Sequence, residues 1–139
     1  MAVTPPKLKG GLAMYIPTFD DVIAAHDRIR PYIHRTPVLT SSYLNDLTSA
    51  ELFFKCENFQ KAGAFKVRGA CNAVFGLADD KLARGVATHS SGNHALSLSY
   101  AAGRRGIACN VVMPRTAPQA KKDAVRGYGG VIVECEPST

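Results

Sequence analysis

No tryptophan occurs among the 139 residues, and aromatic side chains make up only 8%. No apolar run approaches the roughly 18 residues that cross a bilayer. Residues 1–17 include Pro5, Pro6, Lys7, Lys9, Gly10 and Gly11 and have no hydrophobic signal-peptide core, so they read as a flexible tail. A membrane-spanning or secreted protein is not expected. The four cysteines, Cys56, Cys71, Cys109 and Cys135, contain no Cys-x-x-Cys pair and no Cys/His ligand spacing. That excludes a zinc framework and leaves free thiols in a reducing compartment, with the cytoplasm as the expected location. Charge is not gathered into long blocks. Lys plus Arg number 17 against 11 Asp plus Glu, a net charge of +6, but no basic cluster exceeds a pair such as Lys121-Lys122 or Arg104-Arg105. A nucleic-acid or nucleotide binder would rest on that net charge alone, so no nucleic-acid partner is expected. Neither an internal repeat nor a low-complexity tract is present. With 46% apolar residues the chain can fill one core, while burying only about two thirds of its unfolded surface. It is one globular domain or a piece of a larger one.

Thr18-Phe19-Asp20-Asp21 reads as a helix cap followed by acidic residues in the first turn. Val22, Ile23, Ala25, His26, Ile29 and Ile33 approximate a 3.6-residue stripe, so a helix is predicted to about Arg30, where Pro31 kinks or ends it. Pro37-Val38-Leu39-Thr40 is a short extended segment, and a better strand is predicted over 51–56; together they suggest a small strand pairing. A polar loop at 58–63 leads to a helix over 64–77, with Phe65, Ala70, Ala73, Val74 and Leu77 on one face. The pattern then becomes regular: strand 85–88, helix 93–104, strand 107–113, helix 118–127, strand 131–135. This β-α-β-α-β alternation predicts an α/β fold with parallel strands covered by helices. The last strand is followed only by Glu136-Pro137-Ser138-Thr139, with no further helix to cover the sheet, so part of a larger subunit is expected.

Two segments carry chemistry. In Gly63-Ala64-Phe65-Lys66-Val67-Arg68-Gly69, a lysine between apolar neighbours at the start of a helix is placed where burial would lower its pKa and free a nucleophilic amine. The alternative is a surface lysine lying over its neighbours. His89-Ser90-Ser91-Gly92-Asn93-His94 falls between a strand and a helix, at the carboxyl end of the strand, where α/β sheets place ligands. Its hydroxyls, its amide and the helix N–H groups suit an anionic or phenolate oxygen. The alternative is a plain capping turn. His89 and His94 lack a third ligand of matching spacing, so no metal site is expected.

Taken together, Ala64-Phe65-Lys66-Val67-Arg68-Gly69-Ala70 and Ser90-Ser91-Gly92-Asn93-His94 resemble the pyridoxal-phosphate enzymes of fold type II (tryptophan synthase β-like). Within that group the chain is most similar to the serine racemase and threonine/serine dehydratase family. His34-Arg35-Thr36-Pro37-Val38-Leu39-Thr40-Ser41-Ser42 and Leu52-Phe53-Phe54-Lys55-Cys56-Glu57 extend the likeness. It implies that residues 18–82 belong to the large cofactor domain and 83–139 to an incomplete small α/β domain. It also implies pyridoxal 5'-phosphate held by Lys66 as an aldimine, with Phe65 along the ring and Asn93 on the phenolic oxygen. Lys66 and Ser91 would be the catalytic pair, moving the α-proton on opposite faces. Ser90, Ser91, Gly92, Asn93 and His94 would bind the substrate, serine or threonine. Reprotonation gives racemisation; loss of the β-hydroxyl gives an enamine that hydrolyses to a 2-oxo acid and ammonia. Some members are activated by Mg2+ and ATP, and Ser41, Ser42, Tyr43, Lys61 and Tyr128 lie where the nucleotide contacts would fall, with Ala62 and Leu96 replacing more polar residues. A homodimer is implied for the full-length family, and no membrane partner.

The family's glycine-rich phosphate loop and metal ligands come later than these residues. The 139 residues alone are therefore expected to bind the cofactor weakly and catalyse little. A non-catalytic remnant that pairs with a full-length subunit through its sheet edge is the alternative.

Overall fold

The computed structural model of the protein describes residues 15–137; of the expected tail, only Tyr15, Ile16 and Pro17 fall inside that span. Thr18 caps the first helix, α1 (Phe19–Ile29), through a capping box: the Asp21 N–H donates to Thr18 Oγ1 at 3.4 Å, and the Asp21 carboxylate accepts from Thr18 N at 2.7 Å. The Tyr15 hydroxyl also donates to that carboxylate. These hydrogen bonds, Tyr15's foremost, hold the Asp21 carboxyl below its usual range. The helix ends before Pro31, as its ring requires. Of the apolar stripe, however, only Ile29 is buried, while Phe19, Val22 and Ile23 face solvent.

The two short strands, β1 (Val38–Leu39) and β2 (Phe54–Lys55), pair antiparallel with Leu39 opposite Phe54. Between them runs a helix that the sequence does not predict, α2 (Ser42–Thr48), capped by Ser41 Oγ, which accepts from Leu44 N at 3.3 Å. Two turns of 3-10 helix, Glu57–Phe59 and Lys61–Gly63, replace the predicted loop. They lead into α3 (Lys66–Phe75), whose buried face is Val67, Ala70, Cys71 and Val74. The predicted face is corrected here: Phe65 and Ala73 are exposed.

After a one-turn helix, α4 (Asp79–Leu82), the predicted alternation is present. Strands β3 (Val86–His89), β4 (Cys109–Pro114) and β5 (Val131–Cys135) form a parallel sheet in the order β3-β4-β5. Helices α5 (Asn93–Arg105) and α6 (Gln119–Gly127) make the crossovers. Right-handed crossovers between neighbours taken in one direction put both helices on one face. On that face Cys109, Val111 and Met113 are buried. On the other, Val131 pairs in register with Asn110 and Val133 with Val112, and both valines are about half exposed, at 57% and 47%. The core is thus layered: sheet, then α5, then α3. Helix α5 is sandwiched, which explains its unbroken buried run from Ala95 to Ser99 followed by Ala101 and Ala102. Small residues let the layers approach. A Cβ on Gly130 would lie 2.5 Å from Ser99 Oγ and 2.8 Å from Val125 Cγ1. Gly130→Ala is expected to cost about 1–3 kcal/mol through overpacking, read as a lowered urea midpoint.

Helices α3 and α5 run in the same direction. Arg105, at the end of α5, donates to the carbonyls of Val74 and, at 2.8 Å, Leu77, both at the end of α3. Helix α5 also meets the Lys61–Gly63 turn that leads into α3. The N-termini of the two helices therefore share one end of the molecule, and Lys66 and Asn93 are their first residues.

Candidate active site

The carboxyl edge of the parallel sheet is formed by His89, Pro114 and Cys135. A cleft of about 490 Å³ opens along it, with Ser90, Ser91, Thr116 and Glu136 among its lining. Ser90 N donates to Val112 O at 3.1 Å, which prolongs the sheet ladder by one residue before the chain turns. Ser90 Oγ then accepts from Gly92 N at 3.2 Å, so this hydroxyl serves the turn itself. Gly92 is the N-cap of α5 and no side chain caps the helix. The capping-turn alternative is thereby set aside: neither Ser91 nor Asn93 is spent on the helix end. Its first N–H groups lack a side-chain acceptor, an arrangement suited to an anion. Ser91, Asn93 and His94 are exposed.

Asn93 is held from a direction that the sequence does not reveal. Lys121 Nζ, from the first turn of α6, donates to Asn93 Oδ1 at 3.3 Å. In sequence, Lys121 is half of an ordinary basic pair; only the packing of α6 beside α5 brings it here.

Lys66 is the first residue of α3. It is exposed, not buried, as in the alternative of a surface lysine lying over its apolar neighbours, and its Nζ lies 4.7 Å from the centroid of the Phe65 ring. Phe65 is itself 59% exposed, so the ring covers one side of the amine and nothing else among the described residues makes a hydrogen bond or ion pair with it. The turn behind the lysine is by contrast firmly tied. Arg68, two residues on, meets Glu57 in a bidentate pair, Nε to Oε2 at 2.8 Å and Nη2 to Oε1 at 2.7 Å. Thr36 Oγ1 donates to the same carboxylate at 2.5 Å. The Arg68 hydrogen bonds, followed by that from Thr36 and the nearby charges of Arg68 and Lys55, hold Glu57 down at about 2 against the opposing effect of burial. Gln60, 4% exposed, accepts from His34 N at 2.7 Å and Lys61 N at 2.9 Å and donates to His34 O at 2.7 Å. Every bond of this scaffold spans residues far apart in sequence or backbone groups, so no spacing rule points to it.

Ser41, Ser42 and Tyr43 lie at the start of α2, with Ser41 committed to capping. Lys61 lies in the turn before α3, and Tyr128, just past α6, stacks edge-on against Tyr100 at 5.6 Å between ring centroids. These five residues thus stand on three separate segments. A second cleft, about 520 Å³, is strongly basic, with Arg30, Arg35, Lys55 and Arg68 on its walls; Lys66 and Asn93 line neither cleft, and Ser91 lines the sheet-edge one.

Pyridoxal phosphate requires an amine, an aromatic neighbour, a donor to its phenolic oxygen and a phosphate cradle. Lys66, Phe65 and the Asn93 amide, together with the uncapped start of α5, fit the first three. No glycine-rich cradle opens a helix among the described residues; Gly129 and Gly130 follow α6 and lead into β5.

Comparison with known proteins identifies the family. The chain is 76% identical over 126 residues to a beta-hydroxyaspartate dehydratase of Paracoccus denitrificans (strain Pd 1222), covering 91% of this chain and 40% of the relative. The crystal structure of serine racemase from Dictyostelium discoideum superposes with a TM-score of 0.84 at 53% identity, covering 87% of this chain and 39% of that one. That of the T.th. threonine deaminase superposes with a TM-score of 0.78 at 41% identity, covering 88% and 38%. The chain therefore spans about two fifths of the length of the relatives it matches. The family model described as "Pyridoxal-phosphate dependent enzyme" matches residues 29–139, most of the sequence. With the lysine and the serine-asparagine turn at one end of the parallel layers, that match shows that the chain belongs to the pyridoxal-phosphate dependent enzymes.

Proposed function

We propose that this chain supplies the lysine-bearing part of a pyridoxal-phosphate site acting on a small β-hydroxy amino acid, by elimination to a 2-oxo acid and ammonia or by racemisation. One observation carries the reading: Lys66 and Asn93 open two helices that run in the same direction, so an amine and an amide donor stand at one end of the fold. Pyridoxal phosphate, when bound, supplies the carbonyl that captures an amine and the ring that accepts the electron pair released at the α-carbon.

The remaining tasks fall to the chain's own residues. Lys66 would hold the group through Nζ, and its free amine could take or return the α-proton on one face. Phe65 covers one side of that amine. The Asn93 amide donates toward the phenolic oxygen. Ser91, exposed at the lip of the sheet-edge cleft, carries a hydroxyl that can give or take a proton on the opposite face. The open N–H groups of α5 and the Ser90–His94 turn orient the substrate carboxylate. Serine and threonine are substrates consistent with this arrangement. The 76% identity to a beta-hydroxyaspartate dehydratase favours a second candidate, β-hydroxyaspartate, which has the same leaving hydroxyl and one further carboxylate.

Without a phosphate cradle, these residues alone should hold the cofactor weakly. Titrating the purified chain with pyridoxal phosphate is expected to give a weak visible absorption band that disappears in Lys66→Ala. A band of equal strength in that variant would overturn the reading, as would no band at all at saturating cofactor.

A further inference from the structure

We propose that Lys121 is a positioning residue that fixes which end of the Asn93 amide faces the ligand. The inference rests on the reading above in assigning Asn93 to a phenolate oxygen. An asparagine side chain ends in an acceptor oxygen and a two-donor nitrogen of similar shape, so the same pocket can present either one. Asn93 makes no other side-chain hydrogen bond among the described residues. A lysine ammonium only donates. Its 3.3 Å contact with Asn93 Oδ1 therefore turns the carbonyl end toward α6 and leaves both Nδ2 hydrogens free on the opposite side. Were the amide reversed, its oxygen would oppose the phenolate and the interaction would be repulsive.

The geometry behind Lys121 is stiff. Its chain neighbour Lys122 is only 7% exposed and is fastened twice, Nζ donating to Arg115 O at 2.8 Å and to Glu134 Oε1 at 2.6 Å. That anchorage pins the first turn of α6 to the ends of β4 and β5. Lys121 is half-buried and leaves this pinned turn toward α5. The anchorage fixes where the Lys121 side chain begins, while its contact with Asn93 is itself exposed to solvent. The ammonium also polarises the amide it contacts, which strengthens Nδ2 as a donor to an anion.

The test has two readouts on the purified chain. In ¹H–¹⁵N spectra, with the Asn93 side-chain amide assigned by its loss in Asn93→Asp, the resonance pair is expected to move in Lys121→Met and to return toward its wild-type position in Lys121→Arg. The urea midpoint should stay the same in all three. With pyridoxal phosphate added as the probe, affinity is expected to fall about fivefold in Lys121→Met, the equivalent of one hydrogen bond, and to recover in Lys121→Arg. An Asn93 amide signal indifferent to Lys121→Met overturns the proposal whatever the cofactor does. If the wild-type chain shows no Lys66-dependent cofactor binding, the proposed function fails separately, and the amide spectrum alone decides the role of Lys121.

Discussion

Met113→Ala is expected to destabilise the fold by about 2–5 kcal/mol, the range for truncating a long side chain in a closed core. Met113 is fully buried on β4, the central strand of the sheet, on the face covered by the helices. Its loss leaves a cavity at the join between sheet and helices, which α5 cannot fill by moving because α3 packs on its other side. Total stabilities of small domains are about 5–15 kcal/mol, and this chain leaves Phe19, Val22, Phe53 and Val131 exposed, so the expected loss is a large share of what holds it together. Equilibrium urea unfolding measures it. Val131→Ala, at a site 57% exposed on the uncovered face, should change stability by no more than about 0.5 kcal/mol.

Acidification should weaken the fold through Glu57. Its folded-state pKa of about 2 lies below the ordinary value of 4.5, chiefly because of Arg68. A depressed carboxyl contributes stability that is fully present above the unfolded value and is lost as pH falls from about 4.5 through about 2. Because Arg68 is 30% and Glu57 19% exposed at the side chain, solvent screening reduces the effect to about 1–3 kcal/mol. Asp21 and Glu134 are lowered too, in the same sense, so the comparison must be with Glu57→Gln, whose urea midpoint should change less across that window. An identical pH profile in that variant would show that the pair contributes nothing. The consequence for the site is local: Arg68 stands two residues from Lys66, and releasing it loosens the turn that presents the amine.

The sheet and its crossovers were legible because strands and helices alternate with short connections, and each hydrophobic period is long enough to read; β5 lies where it was predicted, over 131–135. The Thr18 cap and the acidic first turn were legible because they are local to four residues; that Asp21 closes a capping box is seen only in the structure. Helix α2 was not: its seven residues bury nothing, so no apolar stripe marks it. The face of α3 was misjudged because Phe65 looks like a core residue, whereas it precedes the helix and turns outward over Lys66. Lys66 and Asn93 were singled out by their motifs together with the family resemblance, and the comparisons bear out the family. The groups that hold them in place, Glu57, Gln60 and Lys121, act across the fold and acquire meaning only when α3, α5 and α6 are packed. The shared end of α3 and α5, on which the site depends, likewise exists only in three dimensions.

Borohydride reduction of the purified chain mixed with near-stoichiometric pyridoxal phosphate, followed by mapping of the pyridoxyl-labelled peptides, reads directly which amine the fold presents. The account predicts label concentrated at Lys66 and reduced about tenfold there, the equivalent of about 1.4 kcal/mol, when Asn93 is replaced by alanine. Label spread over Lys61, Lys81 and Lys121 according to exposure, and unaltered in Asn93→Ala, would contradict it.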